Sequence, residues 1–155
     1  MVDLFFSLLK YFPPELAHSI SLKLLKYKPS FLSSTSKDDY KLHQHLWGLD
    51  FKNPIGLAAG FDKNAEVIPQ LLDLGFGFVE AGTVTPKPQV GNDKPRVFRL
   101  PEDKAIINHL GFNNKGINHM KAKLSDFDRT IPIGINIGKN SSTPIDKAYQ
   151  DYEYC

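Results

Sequence analysis

The strongest constraint on this chain is an alternation. Short apolar runs at residues 54–59, 76–81 and 131–137 are separated by helical spacing at 65–74 and 115–124, with a further helical pattern at 144–154. Strands alternating with helices imply a parallel sheet covered by helices. Gly75 is a natural helix stop. Pro69 makes the 65–74 helix begin late or with an irregular first turn. Thr143 is the expected N-cap of the last helix. Residues 83–95, with Pro86, Pro88 and Pro95, read as a long loop, and 96–100 with 105–107 as a hairpin around Pro101-Glu102-Asp103. Three βα units do not close an eight-stranded barrel, which takes roughly 250 residues. The expectation is the front part of a longer protein.

Ahead of this alternation, residues 4–12 and 15–27 flank Pro13-Pro14 as two apolar-periodic stretches. Leu16, Ile20 and Leu24 mark a helical stripe, widened by Ala17 and Leu25. Lys23, Lys26 and Lys28 load the end that favours cations. Two readings stay open: a helix packed on its own domain, or a lysine-flanked hairpin at a membrane interface. The polar stretch 33–39 is a linker, dividing an N-terminal extension, 1–42, from the remainder, 43–155. No run approaches the roughly 18 apolar residues of a spanning helix, and no secretory signal is recognisable.

Composition narrows the class. The 155 residues are 41% hydrophobic and 23% charged, with a net charge of +2. That is a globular composition, and it lacks the strong, clustered basic charge of a nucleic-acid binder. The one cysteine is Cys155, which excludes an intrachain disulfide or a cysteine metal site and favours a reducing, cytoplasmic compartment.

Four clusters follow strand ends, where βα folds carry their sites. Ala58-Ala59-Gly60-Phe61-Asp62-Lys63-Asn64 offers small residues that let a flat ligand approach the backbone, then a cation. Glu80-Ala81-Gly82-Thr83-Val84-Thr85-Pro86 places the Thr83 hydroxyl at the mouth after the second strand. Ile107-Asn108-His109-Leu110-Gly111-Phe112-Asn113-Asn114 is dense in amides, which suit a planar ring bearing amide and carboxylate groups. Gly134-Ile135-Asn136-Ile137-Gly138-Lys139-Asn140 interrupts a buried strand with Asn136, whose amide needs partners. Each alone reads equally as a turn, an N-cap or a satisfied polar group. No P-loop, dinucleotide fingerprint or His-Glu-x-x-His zinc motif is present.

The wording of these clusters resembles the dihydroorotate dehydrogenase family. Asn53-Pro54-Ile55-Gly56-Leu57-Ala58-Ala59-Gly60-Phe61-Asp62-Lys63, Gly82-Thr83-Val84-Thr85-Pro86-Lys87-Pro88-Gln89 and Arg96-Val97-Phe98-Arg99-Leu100-Pro101 match its motifs in order, as do the amide-rich and Asn136 clusters. Pro14-Glu15-Leu16-Ala17-His18 resembles the helix start of the membrane-associated, quinone-using class. The resemblance implies an α/β fold, the first three units of a (β/α)8 barrel of the TIM type preceded by an amphipathic helical hairpin. It implies FMN-dependent oxidation of dihydroorotate to orotate in pyrimidine synthesis, with a membrane quinone as acceptor. Ala59, Gly60, Phe61, Asp62, Lys63, Thr83 and Asn136 would line FMN. Lys63 with Asn108, His109, Leu110, Gly111 and Phe112 would contact the substrate. His18 and Arg99 would border a quinone tunnel. Residues 1–32 would hold the protein peripherally on the cytoplasmic face of the inner membrane. The serine base of that class belongs to a loop beyond Cys155, so the chain by itself is expected to be inactive. Two rival readings are another flavin-using βα barrel and a non-catalytic membrane-surface module.

Overall fold

The computed structural model describes residues 8–27, 38–125, 127 and 132–155. The expected stretch 4–12 is described only from Leu8, and most of the 33–39 linker lies outside the described residues.

Helix α1 spans Pro14–Tyr27. Pro14 opens it, where a missing N–H costs nothing. The buried face is Ala17 and Leu25, while Leu16 is 47% exposed. The buried pair is thus the flank of the expected stripe, Ala17 and Leu25, while Ile20 and Leu24 are half-buried and Leu16 faces outward. Leu22 and Leu25 both join the hydrophobic core.

A 3-10 turn, Tyr40–Leu42, leads into an antiparallel hairpin of β1 (Gln44–Leu46) and β2 (Leu49–Phe51). This hairpin is not anticipated by the sequence reading. Its two-residue turn puts Trp47 and Gly48 at φ 54° and 76°, and a tryptophan is not the residue that advertises such a turn.

The parallel sheet runs in the order β3-β4-β7, from β3 (Gly56–Leu57), β4 (Phe78–Val84) and β7 (Ile133–Ile137). Helix α2 (Ile68–Asp73) connects β3 to β4. The hairpin β5 (Val97–Leu100) and β6 (Ala105–Asn108), then helix α3 (Ile117–Leu124), connect β4 to β7. A 3-10 turn, Ile145–Lys147, precedes helix α4 (Ala148–Tyr154).

Several boundaries move for physical reasons. The expected strand 54–59 is reduced to two paired residues, and Pro54 has no N–H to give to a ladder. The expected strand 76–81 instead ends at Val84, because Gly82 and Val84 pair with Asn136 and Ile137 of β7. Thr83 therefore lies inside a strand end rather than in the loop beyond it. Helix α2 begins late, with Pro69 in its first turn, as one of the two expected forms requires. Thr143 is not an N-cap. Lys147 holds that position in α4 and Pro144 in the 3-10 turn before it, neither with a side-chain bond, while the Thr143 carbonyl accepts from Lys139 Nζ at 3.0 Å.

The core lies between the sheet and its helices. Val67, Ile68, Leu71, Val79, Val84, Ile117 and Met120 are almost fully buried, and Leu57, Ile133 and Ile135 pack against them. Each such side chain contributes roughly 1.5–3 kcal/mol. A second, polar core sits behind the strand ends. Asn114 Nδ2 and Asn140 Nδ2 both donate to Thr85 Oγ1, at 2.8 and 3.1 Å. Asn140 also donates to Lys87 O and Gln89 Oε1 and accepts from Lys87 N. These bonds fix the proline-rich loop against the ends of β4 and β7.

Candidate active site

The loop after β3 begins with Ala58, Ala59 and Gly60. Gly60 has φ +109°, which only glycine adopts without strain, and a Cβ there would meet open space. Its N–H donates to Gly82 O at 2.8 Å, and Gly82 N donates to Asp62 O at 3.1 Å. The loop is thus stitched to the end of β4 while one face stays clear.

Asp62 is 1% exposed. Its Oδ1 accepts from Glu66 N at 2.9 Å and Asn64 N at 3.4 Å, and its Oδ2 accepts from Val67 N at 2.8 Å. The carboxylate holds the turn. Lys63 turns back, donating from Nζ to Gly60 O at 2.8 Å. Burial pushes the Lys63 ammonium below the ordinary lysine range, with Glu15 pulling it up and Arg96 pushing it further down.

At the neighbouring strand ends, Thr83 Oγ1 donates to Asn136 Oδ1 at 2.5 Å, and Asn136 Nδ2 donates to Glu80 Oε1 at 3.0 Å. Both partners come from β4, so Asn136 is oriented by the adjacent strand. The registered pair Gly82 and Asn136 explains the glycine: a Cβ at Gly82 would run into the Asn136 backbone carbonyl.

The amide-rich segment follows β6. Asn108 is exposed at the strand end, with Leu110 N approaching its Oδ1 at 3.5 Å. His109 stacks on Phe98 at 5.9 Å between ring centroids. Gly111 O accepts from Gln89 Nε2 at 3.0 Å. Phe112 is 58% exposed at φ +53°, a left-handed conformation uncommon for an aromatic residue. The segment is joined to the β3 loop because Lys115 N donates to Asn64 Oδ1 at 2.8 Å.

His18 and Arg99 are both recruited by the fold. His18 Nε2 lies 2.6 Å from Phe61 O, and its ring meets the Phe61 ring edge-on at 5.3 Å. Burial pushes the imidazole below its usual range, and the carbonyl bond opposes this. Arg99 Nη1 donates to Lys10 O at 3.0 Å and Phe12 O at 2.7 Å, in the backbone just ahead of α1. Sequence reasoning missed Arg96 and Glu66. Arg96 is a charged residue entering a strand yet only 6% exposed. Glu66 is gripped by Lys115, His119 and Lys123 at 2.7, 2.9 and 3.3 Å. Burial raises its carboxyl, but the bonds from Lys115, His119 and Lys123 pull it down to about 2. The i, i+4, i+8 spacing of those three residues was the available signal.

The chain is similar to known proteins in sequence and in fold. The sequence profile of the dihydroorotate dehydrogenase family matches residues 41–155. The chain belongs to this family. It is 48% identical over its full length to dihydroorotate dehydrogenase (quinone) of Stutzerimonas stutzeri, covering 46% of that protein. It is 49% identical over 92% of its length to the protein of the same name from Christiangramia forsetii, covering 44% of it. The crystal structure of DHODH in complex with ferulenol from Eimeria tenella superposes with a TM-score of 0.79 at 45% identity, covering 90% of this chain and 39% of that one. The chain thus spans about half the length of the curated relatives it matches, and its α/β fold is that of the dihydroorotate dehydrogenases. Among the described residues, no helix is long and apolar enough to cross a membrane.

Proposed function

We propose that this chain serves the oxidation of dihydroorotate to orotate with a quinone as electron acceptor, in pyrimidine synthesis. The observation that carries the reading is the conjunction at one sheet end: an open glycine loop with Lys63, the Thr83–Asn136 pair on the adjoining strands, and the amide segment tied to that loop. The parallel strands β3, β4 and β7 are read as the first three of an eight-stranded barrel, with residues 1–42 as an extension and 43–155 as barrel.

The residues fit a flavin mononucleotide. Open space over Gly60 suits a flat ring lying against backbone. Ala59, Gly60, Phe61, Lys63, Thr83 and Asn136 are the residues proposed to line it, with Asp62 acting by holding the loop. A bound flavin would supply the hydride-accepting chemistry. Lys63, whose Nζ rests on Gly60 O, would supply positive charge beside that group. Asn108 bonds the substrate's amide or carboxylate edge, and the segment from His109 to Phe112 shapes the pocket above it. No residue of this chain is assigned as the base.

His18 and Arg99 stand where α1 and the backbone just ahead of it meet the domain, and we assign them to the quinone side. Leu8, Tyr11, Phe12 and Leu16 are exposed on that side. Such an apolar surface suits peripheral attachment to a membrane that holds the quinone, on its cytoplasmic face.

The test is anaerobic titration of the full-length protein. Dihydroorotate should bleach a flavin absorbance that a short-chain ubiquinone restores. Lys63→Met should slow the bleaching by at least about tenfold, one charge-assisted contact. Bleaching by unrelated reductants but not by dihydroorotate would favour another flavin barrel.

A further inference from the structure

We propose that Arg96 is a positioning residue that clasps helix α1 and the amide segment together, so that one guanidinium sets both the quinone side and the substrate side of the site. This rests on the dehydrogenase reading given above.

The geometry is specific. Arg96 Nε and Nη2 both donate to Glu15 Oε1 in the first turn of α1, at 3.1 and 2.8 Å. Arg96 Nη1 points the other way, to Val90 O at 2.7 Å, Asn92 O at 2.8 Å and Leu110 O at 3.4 Å. The Arg96 backbone carbonyl accepts from His109 N at 3.0 Å. Three separate stretches therefore converge on a side chain that is 6% exposed. A lysine has no planar fork with which to do this.

The clasp reaches the chemistry at both ends. Glu15 and His18 are three residues apart, so they share a face of α1. Anchoring Glu15 fixes the rotation at which His18 meets Phe61 O. On the other side, Leu110 and His109 lie between Asn108 and Phe112, the residues proposed to hold the substrate. Glu15 is 26% exposed and Lys94 approaches it at 4.0 Å, so its replacement loosens the helix without opening the loop bonds.

Glu15→Gln, Arg96→Lys and the double variant separate the two functions in the full-length protein. Amide hydrogen exchange reports the two segments, and steady-state KM reports the two substrates. Glu15→Gln should speed exchange in residues 14–27 and raise the quinone KM by about tenfold, the loss of one charged hydrogen-bonded pair. Exchange in 108–112 should stay within about twofold. Arg96→Lys should disturb both segments and both constants. The double variant should raise the quinone KM no further than Arg96→Lys does. If Arg96→Lys does not fold, Glu15→Gln alone decides. The clasp is overturned if Glu15→Gln disturbs neither segment or both alike. Lack of dihydroorotate–quinone turnover in the unsubstituted protein would overturn the functional reading instead, and the exchange pattern would still decide the clasp.

Discussion

Asp62 offers a sharp test of how the loop after β3 is held. Asparagine is nearly isosteric but has one acceptor oxygen in place of two. In the native turn, Oδ1 receives Glu66 N and Oδ2 receives Val67 N. Whichever way the amide of Asp62→Asn turns, one of these N–H groups faces an NH2 donor. Losing a hydrogen bond to a charged acceptor costs about 1.5–3 kcal/mol, and stranding a buried donor costs about 1–3 kcal/mol. The two overlap, so a net loss of about 2–4 kcal/mol is expected. That is a large share of the roughly 5–15 kcal/mol that holds a typical domain. Urea unfolding followed by circular dichroism should show the midpoint falling at unchanged slope, the sign of lost stability with an unaltered unfolding event. A loss below about 1 kcal/mol would refute the argument, because the carboxylate would not be what secures the turn.

Three further outcomes are expected. Glu66 is held at about 2 in the fold against 4.5 in an unperturbed chain, so its stabilisation is present above pH 4.5 and is lost as pH falls toward 2. The stability difference between the native protein and Glu66→Gln should shrink across that window, from about 1 kcal/mol, since Lys115 and Lys123 are partly exposed and screened. Gly82→Ala should abolish soluble protein or cost more than about 3 kcal/mol in unfolding measurements, because φ +118° and the Asn136 carbonyl both exclude a Cβ. Gly60→Ala, at φ +109° but with open space around it, should cost only about 1 kcal/mol of strain. It should nevertheless lower flavin content, read as the ratio of visible to ultraviolet absorbance.

The difference between the last two glycines shows where sequence reading stops. Both stand in small-residue clusters that were legible as strand-end turns. Only the tertiary structure shows that one faces a neighbouring strand and the other faces space. Asn136 behaves similarly. Its place in an apolar run marked it as needing partners, but a ligand and a neighbouring strand were equal candidates. Thr83 and Glu80 answer that question, because β4 and β7 are adjacent and in register.

By itself the sequence determined the βα alternation, the β5–β6 hairpin, the helix stop at Gly75 and the four clusters at strand ends. These are local: hydrophobic period, glycine and proline positions, and motif wording act within a few residues of one another. It did not determine which members of its stripe α1 buries most deeply, the β1–β2 turn at Trp47, the true end of β4, the burial of Arg96 or the grip on Glu66. Each of those depends on partners far along the chain, such as Glu15 for Arg96 across 81 residues and Asn136 for Thr83 across 53. A charged side chain becomes a buried clasp only when folding removes water from it and supplies the opposing carboxylate and carbonyls in one place.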